Sequence, residues 1–117
     1  MAVKVSAAVV NYKGIDMFCS TIESILSHTK GVELTLYLID NASGDGSAEK
    51  MRERFPNLQV IALSENLGYG GGNNSVLPYL ESDYHAVINP DIEFTSDLLT
   101  EMAGYMEEHP DAEKKRK

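Results

Sequence analysis

Four short apolar runs, at residues 3–10, 34–39, 58–63 and 84–88, alternate with stretches whose apolar residues recur at helical spacing. No other feature of the sequence constrains the fold as tightly. The first run is apolar at most positions, as a strand buried on both faces requires. The second alternates apolar and polar residues like a half-buried strand. Between them Ile15, Phe18, Cys19, Ile22, Ile25 and Leu26 mark one helix face, with Gly31 as its stop. Ala48, Met51 and Phe55 mark a short second helix that Pro56 follows. Residues 68–80, with their glycines and Pro78, predict a loop running into an irregular helix. Thr95 or Ser96 is placed to cap a last helix whose core face is Leu98, Leu99, Met102, Tyr105 and Met106, ended by His109 and Pro110. Strand–helix alternation with crossovers of this length predicts the α/β class: an open, mostly parallel sheet with flanking helices.

Such sheets bind ligands outside the carboxyl ends of their strands. Those ends here carry Asn11-Tyr12-Lys13-Gly14, then Asp40-Asn41-Ala42-Ser43-Gly44-Asp45-Gly46-Ser47, then Ser64-Glu65-Asn66-Leu67-Gly68, then Asn89-Pro90-Asp91. Polar and glycine residues thus crowd one rim. Asp45 and Ser47 suit the cap of the second helix as well as a ligand role. Asp40 directly follows an apolar strand and is less needed as a cap, so it is a candidate functional acid. Asp91 is a candidate ligand for a hard cation such as Mg²⁺ or Mn²⁺, which often takes one or two protein carboxylates plus substrate phosphates. Glu93 is either a second ligand or a solvated acid. The glycine cluster fits neither G-x-G-x-x-G nor a P-loop, and it leaves only close backbone approach as its meaning. His28, His85 and His109 have no metal-ligand spacing; His85, inside a strand, is expected to be satisfied or partly exposed. Cys19 belongs to the core face of the first helix.

Composition narrows the ligand. The chain has 117 residues, enough for one domain. Four of its ten bases are the last four residues, so residues 1–113 hold six bases against eighteen acids, a formal charge of −12. A body that acidic is ill suited to nucleic-acid phosphates. A single cysteine excludes an internal disulfide framework. No apolar stretch reaches bilayer length and no signal-peptide layout is present, so a cytoplasmic location is expected.

Val9-Val10-Asn11-Tyr12, Ile39-Asp40-Asn41-Ala42-Ser43 with Asp45-Gly46-Ser47, Glu65-Asn66-Leu67-Gly68 with Gly70, Gly72, Asn73 and Asn74, and Asn89-Pro90-Asp91 together resemble the family-2 glycosyltransferases. The resemblance is nearest to the rhamnosyltransferase-like members, and it spans residues 3 to about 110. It implies a GT-A fold, Rossmann-like and incomplete at its C-terminus, with residues 1–110 as the nucleotide-sugar-binding half and 111–117 as a charged tail. It also implies a dTDP- or UDP-linked sugar donor, inverting transfer, and a glycan or lipid-linked acceptor at the inner face of a membrane. By the same resemblance Asn11 and Tyr12 line the nucleotide pocket, and Asp40 hydrogen-bonds the base. Asn66 and Gly68 border the nucleotide and sugar. Asn89 meets the ribose, and Asp91 holds Mg²⁺ or Mn²⁺. Family members continue into an acceptor-binding half that carries the catalytic base, so no residue here is assigned that role. A sheet cut at that point predicts self-association through its open edge. A nucleotidyltransferase would need a basic glycine-rich loop after the first strand, and a receiver-like module an acidic pair there; Asn11-Tyr12-Lys13-Gly14 supplies neither.

Overall fold

The structure, a computed structural model, describes residues 3–109. Strands β1 (Lys4–Asn11), β2 (Glu33–Asp40), β3 (Gln59–Ala62) and β4 (Tyr84–Ile88) form one sheet in the order β3-β2-β1-β4. Every neighbouring pair is parallel. Helices α1 (Ile15–His28), α2 (Ser47–Arg54), α3 (Gly68–Asn74) and α4 (Leu98–Glu108) connect and follow the strands, with a short 3-10 helix at Leu77–Tyr79. The α/β class is as expected. Strand order doubles back before β4, which lands on the free side of β1. The topological switch point therefore lies between the carboxyl ends of β1 and β4.

Side-chain alternation along β1 serves two cores. Ala7 and Val9 face one layer with Phe18, Ile22 and Ile25 of α1, Met51 of α2, Leu36 and Leu38 of β2, and Leu99 of α4. Ala8 and Val10 face the other with Ile39 and Val76, under the segment that contains α3. Phe18, Ile22 and Ile25 are fully buried, and each contributes about 1.5–3 kcal/mol relative to exposure. Cys19 is buried in the α1 face as expected, and burial raises its thiol pKa, keeping it protonated. Among the described residues no helix is long and apolar enough to cross a membrane.

Four local expectations need correction. Asn11 and Asp40 do not follow their strands; they are the last residues of β1 and β2, paired in register. Gly31 is not the stop of α1, which ends at His28 with Thr29 as its cap. A Cβ on Gly31 would come within 2.5 Å of Thr100 Cγ2, and its N–H donates to Asp97 Oδ2 and Thr100 Oγ1, so glycine there serves close approach to α4. Asp97, not Thr95 or Ser96, caps α4 by accepting from the Thr100 N–H. The buried residues of α4 are Leu99, Ala103 and Met106, while Leu98, Met102 and Tyr105 remain exposed. That helix packs beside the edge strand β4, where only a narrow face meets the core. The predicted charged tail lies outside the described residues.

The glycine-rich stretch also differs from expectation, since regular helix begins at Gly68 itself. Four glycines in seven residues oppose a helix by roughly 1 kcal/mol each relative to alanine. Tertiary packing offsets that. A Cβ on Gly71 would meet Leu67 Cβ at 2.7 Å, and one on Gly72 would meet Val10 Cγ1 at 3.1 Å. Glycine lets α3 lie directly on β1.

Candidate functional site

Because all four strands are parallel, Asn11, Asp40, Asn66, Gly68, Asn89 and Asp91 lie along one edge of the sheet, as the sequence predicts. Hydrogen bonds join most of them. The register that pairs Asn11 with Asp40 lets Asn11 Nδ2 donate to Asp40 Oδ1 at 3.2 Å. Ser43 Oγ donates to the same carboxylate oxygen at 2.6 Å, and Ser43 N–H approaches Oδ2 at 3.4 Å. Asn11, Asp40, Asn41 and Ser43 are all at most 5% exposed. A buried carboxylate is tolerated only when hydrogen-bonded in this way.

The same cluster holds two turns of unusual backbone. Lys13 and Ala42 have φ of 58° and 60°, a left-handed conformation that costs a non-glycine residue about 1–2 kcal/mol. Ser43 Oγ accepts the Lys13 N–H at 2.9 Å, and Asn11 Oδ1 accepts the Gly14 N–H at 3.1 Å. Both turns therefore hang on residues that also hold Asp40. Tyr12 projects outward, half exposed, with the Lys13 ammonium 5.4 Å from its ring centre. Beyond them Asp45 accepts from the N–H and hydroxyl of Ser47, which holds its carboxyl below the ordinary range, so it serves as a cap-like turn residue.

Asn41 carries the rim onward to α3. Its Oδ1 accepts the Leu67 N–H at 2.9 Å and its Nδ2 donates to the Gly68 carbonyl at 3.0 Å, imitating a strand pair. Asn66 Oδ1 accepts the Gly68 N–H at 2.7 Å, closing a turn in which Gly68 adopts φ 74°. From α3 the half-exposed Tyr69 donates its hydroxyl to Asn89 Oδ1 at 2.7 Å. The turn after β4 is itself anchored to α1. Thr21 donates to the Pro90 carbonyl at 2.6 Å, and Ser24 Oγ accepts the Phe94 N–H at 2.9 Å. A recess of about 490 Å³ opens beside Asp40, between Ala42, Gly44 and Ser47 on one side and Ala62, Leu63 and Ser64 on the other. A second groove of about 540 Å³ runs along β4 and α4, away from these residues.

Asp91 and Glu93 stand apart. Both are exposed, and among the described residues no hydrogen bond commits either carboxylate. Nor do three acidic, histidine or cysteine side chains gather anywhere among the described residues to form a metal cage. One free carboxylate fits a hard dication that takes its other ligands from phosphate and water. Asn89 is uncharged and already spends one oxygen lone pair on Tyr69, so it is a poorer cation ligand than Asp91. His85 is half as expected. Its Nδ1 lies 2.7 Å from Ser6 Oγ, its Nε2 is buried with no partner among the described residues, and burial lowers its pKa. Three participants escaped the sequence reading. Ser43 and Asn41 looked like turn residues, and their burial is visible only in three dimensions. Tyr69 was merely the variable position between two glycines.

Solved structures share this fold. The chain superposes on residues 1–349 of Staphylococcus aureus TarS with a TM-score of 0.74 and 24% identity, covering 91% of this chain and 33% of that one. TarS has also been solved with UDP and with UDP-GlcNAc. A mannosyltransferase of Pyrobaculum calidifontis, in complex with GDP-Man and Mn²⁺, superposes with a TM-score of 0.73 at 17% identity, over 87% of this chain and 32% of that one. The fold is therefore the GT-A fold. In sequence, the N-acetylglucosaminyl-diphospho-decaprenol L-rhamnosyltransferase of Mycobacterium tuberculosis is 29% identical over 72 residues, covering 52% of this chain and 24% of the relative. The chain spans about a quarter to a third of the length of these proteins. What they share is the fold, and since residues 6–112 match the family called glycosyl transferase family 2, the chain belongs to that family.

Proposed function

We propose that this chain is the donor-binding half of an inverting glycosyltransferase that takes its sugar from a nucleoside diphosphate. The observation that carries this reading is the buried Asn11–Asp40–Ser43 cluster beside an open recess, at the carboxyl edge of a family-2 sheet. Asp40 is the base-recognition residue. Its carboxylate is held rigid by Asn11 and Ser43, the residue borders the recess, and the carboxylate is the group that would accept an N–H from a nucleobase. Asn11 serves the nucleotide site from beneath by holding Asp40, the half-exposed Tyr12 borders the nucleotide, Asn66 and Gly68 border nucleotide and sugar, and Asn89 faces the ribose or the diphosphate. The donors bound by TarS and by the Pyrobaculum enzyme favour a nucleotide sugar; a dTDP- or UDP-linked donor is the one proposed here.

Asp91 would hold Mg²⁺ or Mn²⁺. Such an ion, when bound, offsets the negative charge that develops on the departing diphosphate. The chain's own contribution is to fix the donor: a rim of buried side chains costs little reorganisation when the ligand arrives. Inverting transfer also needs a base to deprotonate the acceptor hydroxyl. That role is assigned to none of the residues described, and it belongs with the acceptor, a glycan or lipid-linked hydroxyl at the cytoplasmic face of a membrane.

Thermal unfolding against dTDP-, UDP- and GDP-linked sugars, with and without Mn²⁺, tests the reading. A stabilisation by dTDP- or UDP-linked sugars that grows with Mn²⁺ is expected. No stabilisation by any nucleotide sugar would refute it.

A further inference from the structure

Tyr69 is a large side chain at the start of a helix otherwise made of glycine and asparagine. Its hydroxyl reaches the side chain of Asn89, twenty residues away in sequence, across the switch point between β1 and β4. A hydrogen bond between two exposed side chains is ordinarily weak, because ordering both costs entropy. Here both ends are already held. Tyr69 is flanked by the Asn41 bonds to Leu67 and Gly68, its own carbonyl accepts Asn73 Nδ2 at 3.1 Å, and Gly72 rests on Val10. Asn89 is followed directly by Pro90, whose carbonyl is held by the buried Thr21 hydroxyl.

The polarity of that bond has a chemical consequence. An asparagine amide offers one oxygen that accepts and one nitrogen that donates. With one lone pair of that oxygen taken by the Tyr69 hydroxyl, the amide is turned so that its wholly unengaged group is the NH₂. A donor can meet a hydroxyl or phosphate oxygen; it cannot bind a cation, which requires a lone pair. Gly70 fits the same picture. A Cβ there would meet nothing within 4 Å, so packing does not require glycine beside Tyr69, and the space is open to a ligand.

We infer that Tyr69 is a positioning residue that turns the Asn89 amide NH₂ toward an oxygen of the bound nucleoside diphosphate, leaving cation binding to Asp91. This role rests on the nucleotide-sugar reading of the rim.

Calorimetric titration of the whole chain with UDP and dTDP, in EDTA and again in Mn²⁺, tests it. Removing only the hydroxyl, in Tyr69→Phe, should leave thermal unfolding unchanged and weaken metal-free binding about three- to tenfold. Asn89→Ala should show a similar loss, and the double variant no further loss, since the two groups act as one. The ratio of affinities with and without Mn²⁺ should stay as in the parent for Tyr69→Phe and fall for Asp91→Asn. Uridine and thymidine locate the oxygen: a loss shared by the nucleosides places it on the ribose, and a loss confined to the diphosphates places it on phosphate. If Tyr69→Phe binds as tightly as the parent, or if its loss and that of Asn89→Ala add fully, the positioning role is wrong while the nucleotide site stands. If the parent binds neither nucleotide, the site reading and this inference fall together.

Discussion

Asp40 shows how a single side chain can belong to the core and to the site at once. It is buried and accepts hydrogen bonds from Asn11 and Ser43, yet it also lines the recess. Asp40→Ala would leave Asn11 and Ser43 short of a partner, costing about 1–3 kcal/mol of stability in addition to any lost affinity. Asp40→Asn is the cleaner variant, because it keeps an acceptor for Ser43 while changing the charge that faces the ligand. It should weaken nucleoside diphosphate binding by roughly 1.5–3 kcal/mol in calorimetry, with a fold that survives. Unchanged affinity would make Asp40 a turn residue only. The glycines of α3 divide in the same manner. Gly70→Ala meets open space in a helical backbone and should raise stability by about 0.5–1 kcal/mol. Gly72→Ala would set its Cβ 3.1 Å from the buried Val10, so the gain in propensity should be lost to overpacking. Thermal unfolding of the two variants, compared with the parent, should rank Gly70→Ala above Gly72→Ala.

Helix α4 is joined to the loop after α1 by Asp97, whose Oδ2 accepts the Lys30 and Gly31 N–H groups while Oδ1 caps Thr100. Burial raises the Asp97 carboxyl, but hydrogen bonds from Thr100, Lys30 and Gly31 outweigh it and leave the pKa below the ordinary value. The stabilisation is therefore complete above the unfolded-state pKa and is lost as pH falls through the lower folded value. Asp97→Ala should cost about 1–2 kcal/mol at neutral pH. The gap between variant and parent in thermal unfolding should narrow as pH falls below about 4. A gap constant down to pH 2.5 would show that the carboxylate charge contributes nothing. Sequence alone revealed the strands and the apolar faces of α1 and α2, apart from Leu26, which is exposed, because period-2 and helical patterns are written in side chains that face a core. It misplaced the cap of α4 and assigned too wide a buried face, because an edge helix meets the sheet along a narrow stripe. It reads residues 68–80 as a loop running into an irregular helix and so misses regular helix from Gly68, because the packing of Gly72 on Val10 joins residues distant in sequence and glycine leaves no apolar pattern. The rim was legible because polar residues at four strand ends converge in any parallel sheet. The bonds that make it rigid, through Ser43, Asn41 and Tyr69, were not.

At the scale of the whole molecule, β4 pairs only with β1 among the described strands. Val87 of this strand and Met102 of α4 are exposed and line the groove between them. An edge strand with apolar neighbours favours pairing with another chain, while the net charge of −8 opposes unlimited aggregation. Light scattering of the 117-residue chain should therefore show a small oligomer that grows more stable with ionic strength, and Val87→Lys should shift it toward monomer. A strict monomer at high concentration would contradict this. The most direct measurement of the central claim is the calorimetric affinity of the chain for UDP and dTDP in the presence and absence of Mn²⁺, run beside Asp40→Asn and Asp91→Asn. The account predicts saturable binding of at least one of the two, tightened by Mn²⁺ in the parent, weakened in Asp40→Asn, and insensitive to Mn²⁺ in Asp91→Asn. Absence of binding to either nucleotide, or affinities unmoved by both substitutions, would contradict it.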